Sequence, residues 1–195
     1  MTDTTFTEAD LAYLTATFVT LEDLCTGRAE SPADIAALIE QRRLPQPSYV
    51  LVDGTGLFPP DYFRLVDQAG GVDALPGHFA ARHRQATFAL DAAARELEED
   101  WQAYLDGIYG ICLREVTPEA MVRKTMLVSS LSELLMLPRP ASAEWRRALR
   151  ELVEELDELE RDFAPDHDRT ETQERLPTRD LLIGAARERY PDVFA

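Results

Sequence analysis

A chain of 195 residues, 45% hydrophobic and 29% charged, is long enough to bury a core of its own without disulfides or metals. Its formal net charge of −16 repels phosphate backbones and anionic lipid surfaces, because nucleic acid is held mainly by Lys and Arg, so stable DNA binding is disfavoured. No stretch approaches the roughly 20 apolar residues that span a bilayer, and the acidic opening MTDTTFTEAD lacks the basic start and apolar run of an export signal, so the expected location is the cytoplasm.

Thr7, with Asp10 three residues on, predicts a helix over about 8–17, carrying Leu11, Leu14 and Phe18 at helical spacing. Thr20 predicts a short second helix, LEDLC, that stops at Gly27. Ser31, Pro32 and Asp34 open a third with Ile35, Leu38 and Ile39 facing inward. Asp53-Gly54 lies between two β-prone runs, which predicts a tight hairpin, and Pro59-Pro60 predicts a helix from Asp61. This rhythm over about residues 18–64 resembles the winged helix of MerR-type regulators and excisionases. The chemistry of a DNA reader is missing, since residues 1–64 hold ten acids against four arginines.

The loop QAGGVDALPG marks the expected boundary, giving a winged-helix-like module over 1–69 and an α-helical domain over 70–195, with one core shared by both as the alternative. From Phe79 an apolar stripe through His83, Ala86, Leu90, Ala93, Leu97, Trp101, Tyr104 and Ile108 predicts one long helix, broken by Gly107 and Gly110. Thr117-Pro118 predicts a helix that ends before Pro138, and its apolar residues on nearly every side predict a central position. Leu149, Leu152, Leu156, Leu159 and Phe163 form a short coiled-coil-like seam, expected to pack on the helix from Phe79. A polar stretch then leads to a last helix from Thr178 to about Tyr190. The fold class is therefore mostly α, a winged-helix-like module with one small hairpin followed by a helical bundle.

Lys124 is the chain's only lysine and falls between Leu131 and Leu135 on a helical wheel. A buried amine there could act as a nucleophile or base, or clamp an anion; the plain alternative is an amine that reaches solvent or pairs with Glu115 or Glu119. His83 lies in an apolar stripe, as a base, a ligand or a hydrogen-bonded core histidine. His78, five residues earlier, points elsewhere and cannot share a metal with it. The loop Asp166-His167-Asp168-Arg169 suits a hard cation or proton transfer if the fold brings His83 or Lys124 near; a solvated acidic loop is the alternative. Tyr104, Tyr109, Arg114, Glu115 and Arg123 cluster around GIYGICLREVTPE, either lining a pocket between helices or serving as caps and ion pairs. Cys25 and Cys112 sit among aliphatic residues with no C-x-x-C spacing, which predicts buried free thiols and no metal site. Phosphate loops, dinucleotide fingerprints, the G-x-S-x-G elbow and H-E-x-x-H are absent, and no cofactor is indicated.

Taken together, LEDLCTGR, IEQRRLPQPSYVLVDGT, PPDYF, W-x-x-Y-L-x-G-I-Y-G-I-C-L-R-E-V-T-P-E, V-R-K and F-A-P-D-H-D-R look similar to a family of uncharacterised bacterial proteins of unknown function labelled natural-product biosynthesis. The resemblance covers nearly the whole chain and implies a pathway setting, with no reaction, fold or catalytic residue attached. The expected function is a tailoring or accessory protein with an inter-helix pocket. Lys124 or Arg123 would hold an anionic group, His83 or His167 would move protons, and Tyr104 or Tyr109 would orient the ligand. The alternative is a non-catalytic interaction or regulatory protein. The expected partner is a small-molecule intermediate or a pathway protein, with no membrane and no nucleic acid; oligomeric state is not encoded in any visible pattern.

Overall fold

Three capping boxes set the N-terminal architecture. Thr7, Thr20 and Ser31 each accept the backbone N–H three residues on, and Asp10, Asp23 and Asp34 each accept from the cap's own N–H, satisfying donors that a helix start otherwise leaves open. They begin α1 (Glu8–Thr17), α2 (Leu21–Cys25) and α3 (Pro32–Glu40). The computed structural model describes residues 6–87, 93–169 and 177–195. β2 (Tyr49–Val50) and β3 (Gly56–Phe58) form the expected hairpin, with Tyr49 opposite Leu57. A further strand, β1 (Val19–Thr20), pairs antiparallel with the other edge of β3 and completes a sheet of order β1-β3-β2. Two residues are too few to leave an alternating pattern, so the sequence predicts the hairpin alone.

The helix expected from Asp61 begins only at Arg64, as α4 (Arg64–Ala69). Tyr62 and Arg64 instead donate to Pro59 and Asp61 in successive turns. The Asp61 carboxylate leaves the chain direction to accept the Val116 N–H at 2.9 Å and to face Arg161 at 3.5 Å. Gly70 ends α4 in the left-handed region at φ +83°, where glycine carries no Cβ penalty.

The single long helix expected from Phe79 is two helices, α5 (Leu75–Ala86) and α6 (Ala93–Leu105). In one continuous helix His83 and Asp100 would lie about 25 Å apart; their side chains are 2.8 Å apart, and Phe79 meets Trp101 and Tyr104 at ring centroids of 5.0 and 5.4 Å. The two helices fold back on one another. α5 closes at Thr87, whose backbone turns extended and whose hydroxyl donates to the His83 carbonyl at 2.7 Å. Periodicity misses the break because both arms bury the same face in the same core. Leu90 belongs to residues outside those described.

Gly107, at φ +76°, separates α6 from α7 (Ile108–Cys112), and a Cβ there would strike the Gln46 carbonyl. Gly110 does not break a helix: it lies buried inside α7, so close to the Ser48 hydroxyl and Pro59 that a Cβ would collide with both. α8 (Pro118–Met136) packs on α5 and α9 (Ala143–Leu159). It is less enclosed than its composition predicts, for Met126 and Met136 are 53% and 78% exposed. The α9 seam packs on α8 and the C-terminal helices rather than on the helix of Phe79, with Trp145, Leu149, Val153 and Leu156 buried. After a 3-10 turn (His167–Arg169), the expected last helix opens as a wide π turn over Arg179–Gly184, continues as α10 (Ala185–Arg189), and is followed by α11 (Pro191–Phe194).

Three clusters make the core. The first joins Ile35, Phe58, Tyr62 and Leu65 to Leu75, Phe79, Tyr104, Met121 and Phe163, across the Gly70-Gly71 loop. The second joins the distal half of α8 to α9 and the C-terminus. The third packs Phe6, Leu14, Phe18, Tyr49 and Leu57 around Ala164. Ile111 touches the first and the third, and a ligand-sized cleft opens beside it.

Candidate functional site

The cleft has a volume of about 300 Å³ and is lined by side chains from five separate stretches of chain. Ile108, Ile111 and Phe163 supply apolar wall, while Lys124, Cys112, His167 and Thr178 bring polar atoms. α7 presents Ile108, Ile111 and Cys112 because three- and four-residue steps share a helix face. Thr117, capping the Ala120 N–H, fixes the start of α8 that carries Lys124.

Lys124 reaches inward to Glu160, with Nζ 2.9 Å from Oε1; the lysine side chain is 14% exposed and the glutamate 0%. Burial works against the lysine's charge, yet the Cys112 sulfur and the Glu160 carboxylate prevail and hold its pKa above the ordinary value. The ion pair thus favours the ammonium form, the form suited to clamping a ligand oxygen. Its partner is neither Glu115 nor Glu119, which pair with Arg64 and Arg82. Thr178 donates to the same Glu160 oxygen at 2.5 Å, while Oε2 is buried without a partner among the described residues. Burial pushes the Cys112 thiol up, against the pull of Lys124.

His167 and Asp168 join Lys124 at this cleft, while Asp166 is exposed beside it, and the segment is tied down rather than a wholly solvated acidic loop. The fully buried Asp10 accepts the backbone N–H groups of Asp166 and His167 at 2.9 and 3.1 Å, so α1 is clamped to the loop. Asp168 accepts from the Tyr49 hydroxyl and the Ala164 N–H, both at 2.7 Å. The His167 ring lies tilted against Phe6 at 4.4 Å and meets Tyr49 edge-on at 6.0 Å. Among the described residues no group of three or more His, Cys, Asp and Glu is placed to hold a metal ion.

The other expected residues lie elsewhere. His83 has no exposed surface and bonds through Nε2 to Asp100, which also accepts from the Tyr109 hydroxyl. This His83-Asp100-Tyr109 cluster does not line the cleft. Tyr104 lines a separate enclosed cavity of about 20 Å³ with Tyr62, Pro59 and Gly110, where burial raises its pKa. Arg123 bonds to Glu155 at 2.5 Å on the outer surface. Arg114 is exposed and contributes its backbone, whose N–H meets the Leu159 carbonyl and whose own carbonyl accepts from Arg161.

A family model described as a family of unknown function, DUF6058, matches residues 74–191. The chain belongs to this family. No curated protein and no solved structure matches it. The DUF6058 segment starts at the residue before α5 and contains Ile108, Cys112, Lys124, Phe163, His167, Asp168 and Thr178, so most of the cleft lies within it. Ser48 and Tyr49, on the hairpin side, come from outside. Among the described residues no helix is long and apolar enough to cross a membrane.

Sequence reading missed Glu160, Tyr49 and Thr178. Glu160 lies four residues after Leu156 and seven after Val153, on the stripe that α9 buries. An acid on that stripe is the counterpart of a lysine on the apolar side of α8, and the two together were the available signal.

The clamp at Asp10 has a pH signature. Burial raises the carboxyl pKa, but the N–H groups of Asp166, Thr7 and His167 outweigh it and leave it below the ordinary value. A depressed folded pKa contributes stability that is complete above the unfolded value near 4 and is lost as pH falls through the folded one. Urea midpoints measured from pH 6 to pH 2 will therefore fall in the wild type, and Asp10→Asn will start lower and fall less. An unchanged slope in the variant would remove Asp10 from the acid response.

Proposed function

We propose that this DUF6058 protein is a tailoring or accessory protein of small-molecule biosynthesis, with its ligand site in the cleft of Lys124. The supporting observation is the convergence of Lys124, Cys112, His167 and Thr178, from distant parts of the chain, on one ligand-sized opening with apolar walls. The resemblance of the sequence to proteins labelled natural-product biosynthesis supports the pathway setting. His167 is the histidine suited to proton movement here, since His83 is away from the cleft.

Native mass spectrometry of freshly purified protein tests this reading. A retained small molecule of defined mass is the expected result, reduced in Lys124→Ala. A clean apo spectrum, together with no thermal shift across a library of small metabolites, counts against it.

A second reading, a non-catalytic interaction module, draws on the winged-helix resemblance of the sequence and on the element order α1-β1-α2-α3-β2-β3, which is compatible with it. Val50 and Val52 on the hairpin are 52% and 77% exposed, a surface suited to an apolar partner. Its DNA-binding variant is disfavoured because Arg42 and Arg43, at the end of α3, are paired with Asp106 and Asp73. A pulldown that recovers no specific protein, or one that Val52→Asp does not abolish, rejects the second reading.

A further inference from the structure

The charges around Lys124 also select the head group of the ligand, an inference that rests on the cleft being the ligand site. Sequence reasoning assigns an anionic group to Lys124 or Arg123. Arg123 is occupied by Glu155 on the outer surface. Lys124 presents a charge that is already matched by Glu160, which has no exposed surface. Asp168, the other charged side chain lining the cleft among the described residues, is a carboxylate. An incoming anion would gain little from so closely neutralised a cation and would be repelled by the carboxylates behind and beside it.

A lysine ammonium nevertheless has three N–H donors. One meets Glu160 Oε1 at 2.9 Å, and Cys112 lines the cleft with it. Among the described residues Glu160 engages one of the three donors, which leaves donor capacity for an acceptor in the cleft. Ile108, Ile111, Phe163 and Pro177 surround that position with apolar surface. Burying such surface against an apolar body is favourable, and a neutral carbonyl costs far less to desolvate than a carboxylate.

We propose that the cleft binds small molecules whose neutral carbonyl head, an amide, ketone or lactone, accepts an N–H of Lys124, with an apolar body against Ile111 and Phe163. A cavity of about 300 Å³ accommodates about ten non-hydrogen atoms at roughly 30 Å³ each. Glu160 sets the preference: it removes the net charge that would otherwise recruit an acid.

The test compares two probes of the same shape and size, phenylacetamide and phenylacetate, titrated into the full-length protein at pH 7. Affinity is read by calorimetry, and location by amide NMR shifts of Lys124 and His167. The amide should bind about tenfold more tightly than the acid. Glu160→Gln, which keeps the shape and removes the negative charge, should reverse the order, because Lys124 then meets the cleft unmatched. A merely structural glutamate would lower stability without changing which probe wins. Equal or tighter binding of phenylacetate to the wild type overturns the proposal, and that comparison needs no variant. An unreversed preference in a folded Glu160→Gln protein overturns the role of Glu160. Failure of both probes at millimolar concentration, with a retained molecule still seen in the native spectrum, rejects the head group alone. Failure of both with a clean spectrum rejects the site as well.

Discussion

Lys124→Met will lower the unfolding free energy by about 3–5 kcal/mol, because it strands a carboxylate in the interior with only a hydroxyl beside it. Glu160 is 0% exposed, and among the described residues Thr178 is its remaining donor and its second oxygen has no partner. At about 2–4 °C per kcal/mol for a chain of this size, the melting midpoint falls by about 10 °C. The reverse variant, Glu160→Leu, costs less, since the lysine side chain is 14% exposed and can turn toward water in the cleft. Replacing both, Lys124→Met with Glu160→Leu, returns stability to within about 2 kcal/mol of wild type. A buried pair exchanged for apolar groups is often neutral, and only the Thr178 hydroxyl loses an acceptor. Thermal and urea melts of the four proteins form a double-mutant cycle. A Lys124→Met protein that melts with the wild type would mean that the ion pair contributes nothing. The double variant also separates stability from binding, since it should fold well and lose the carbonyl-selective site.

How much of this was legible in the sequence depended on the range of the interaction. The caps at Thr7, Thr20, Ser31 and Thr117 are local, each a hydroxyl reaching a backbone N–H three residues on, and all form as read. The hairpin at Asp53-Gly54 is equally local. The break after Ala86 was not legible, because apolar spacing reports which face is buried and not whether one helix or two do the burying. Lys124 and His167 could be singled out as misplaced polar residues, but their meeting depends on packing between segments more than forty residues apart in sequence. The Asp166-Asp168 loop illustrates the same limit: its acids look solvated in sequence, while Asp168 is buried by Tyr49 and Ala164, partners that no local pattern names.

Asp168→Ala will destabilise the protein by about 3–5 kcal/mol and loosen the cleft, because that carboxylate holds the hairpin to the segment carrying His167. Its Oδ2 accepts the Tyr49 hydroxyl and the Ala164 N–H, both at 2.7 Å, and Tyr49 and Ala164 are 4% and 0% exposed. Removing it leaves two donors buried and unanswered, at about 1.5–3 kcal/mol for each bond to a charged group. Tyr49→Phe should cost less, about 1–2 kcal/mol, since the carboxylate keeps the Ala164 N–H and only one bond goes. Burial and the neighbouring Asp168 charge both push the Tyr49 pKa up, so the phenol stays a donor throughout the neutral range and the tie does not titrate there. Combined, the two substitutions should cost less than their sum, because after either one the other no longer breaks the shared bond. Strict additivity would show that Tyr49 and Asp168 act independently and that another contact holds the hairpin in place. Tyr49 and His167 both line the cleft beside this tie, their rings 6.0 Å apart. Asp168→Ala should therefore weaken phenylacetamide binding through a displaced wall, with Lys124 and Glu160 still paired, whereas Tyr49→Phe should leave binding nearly intact.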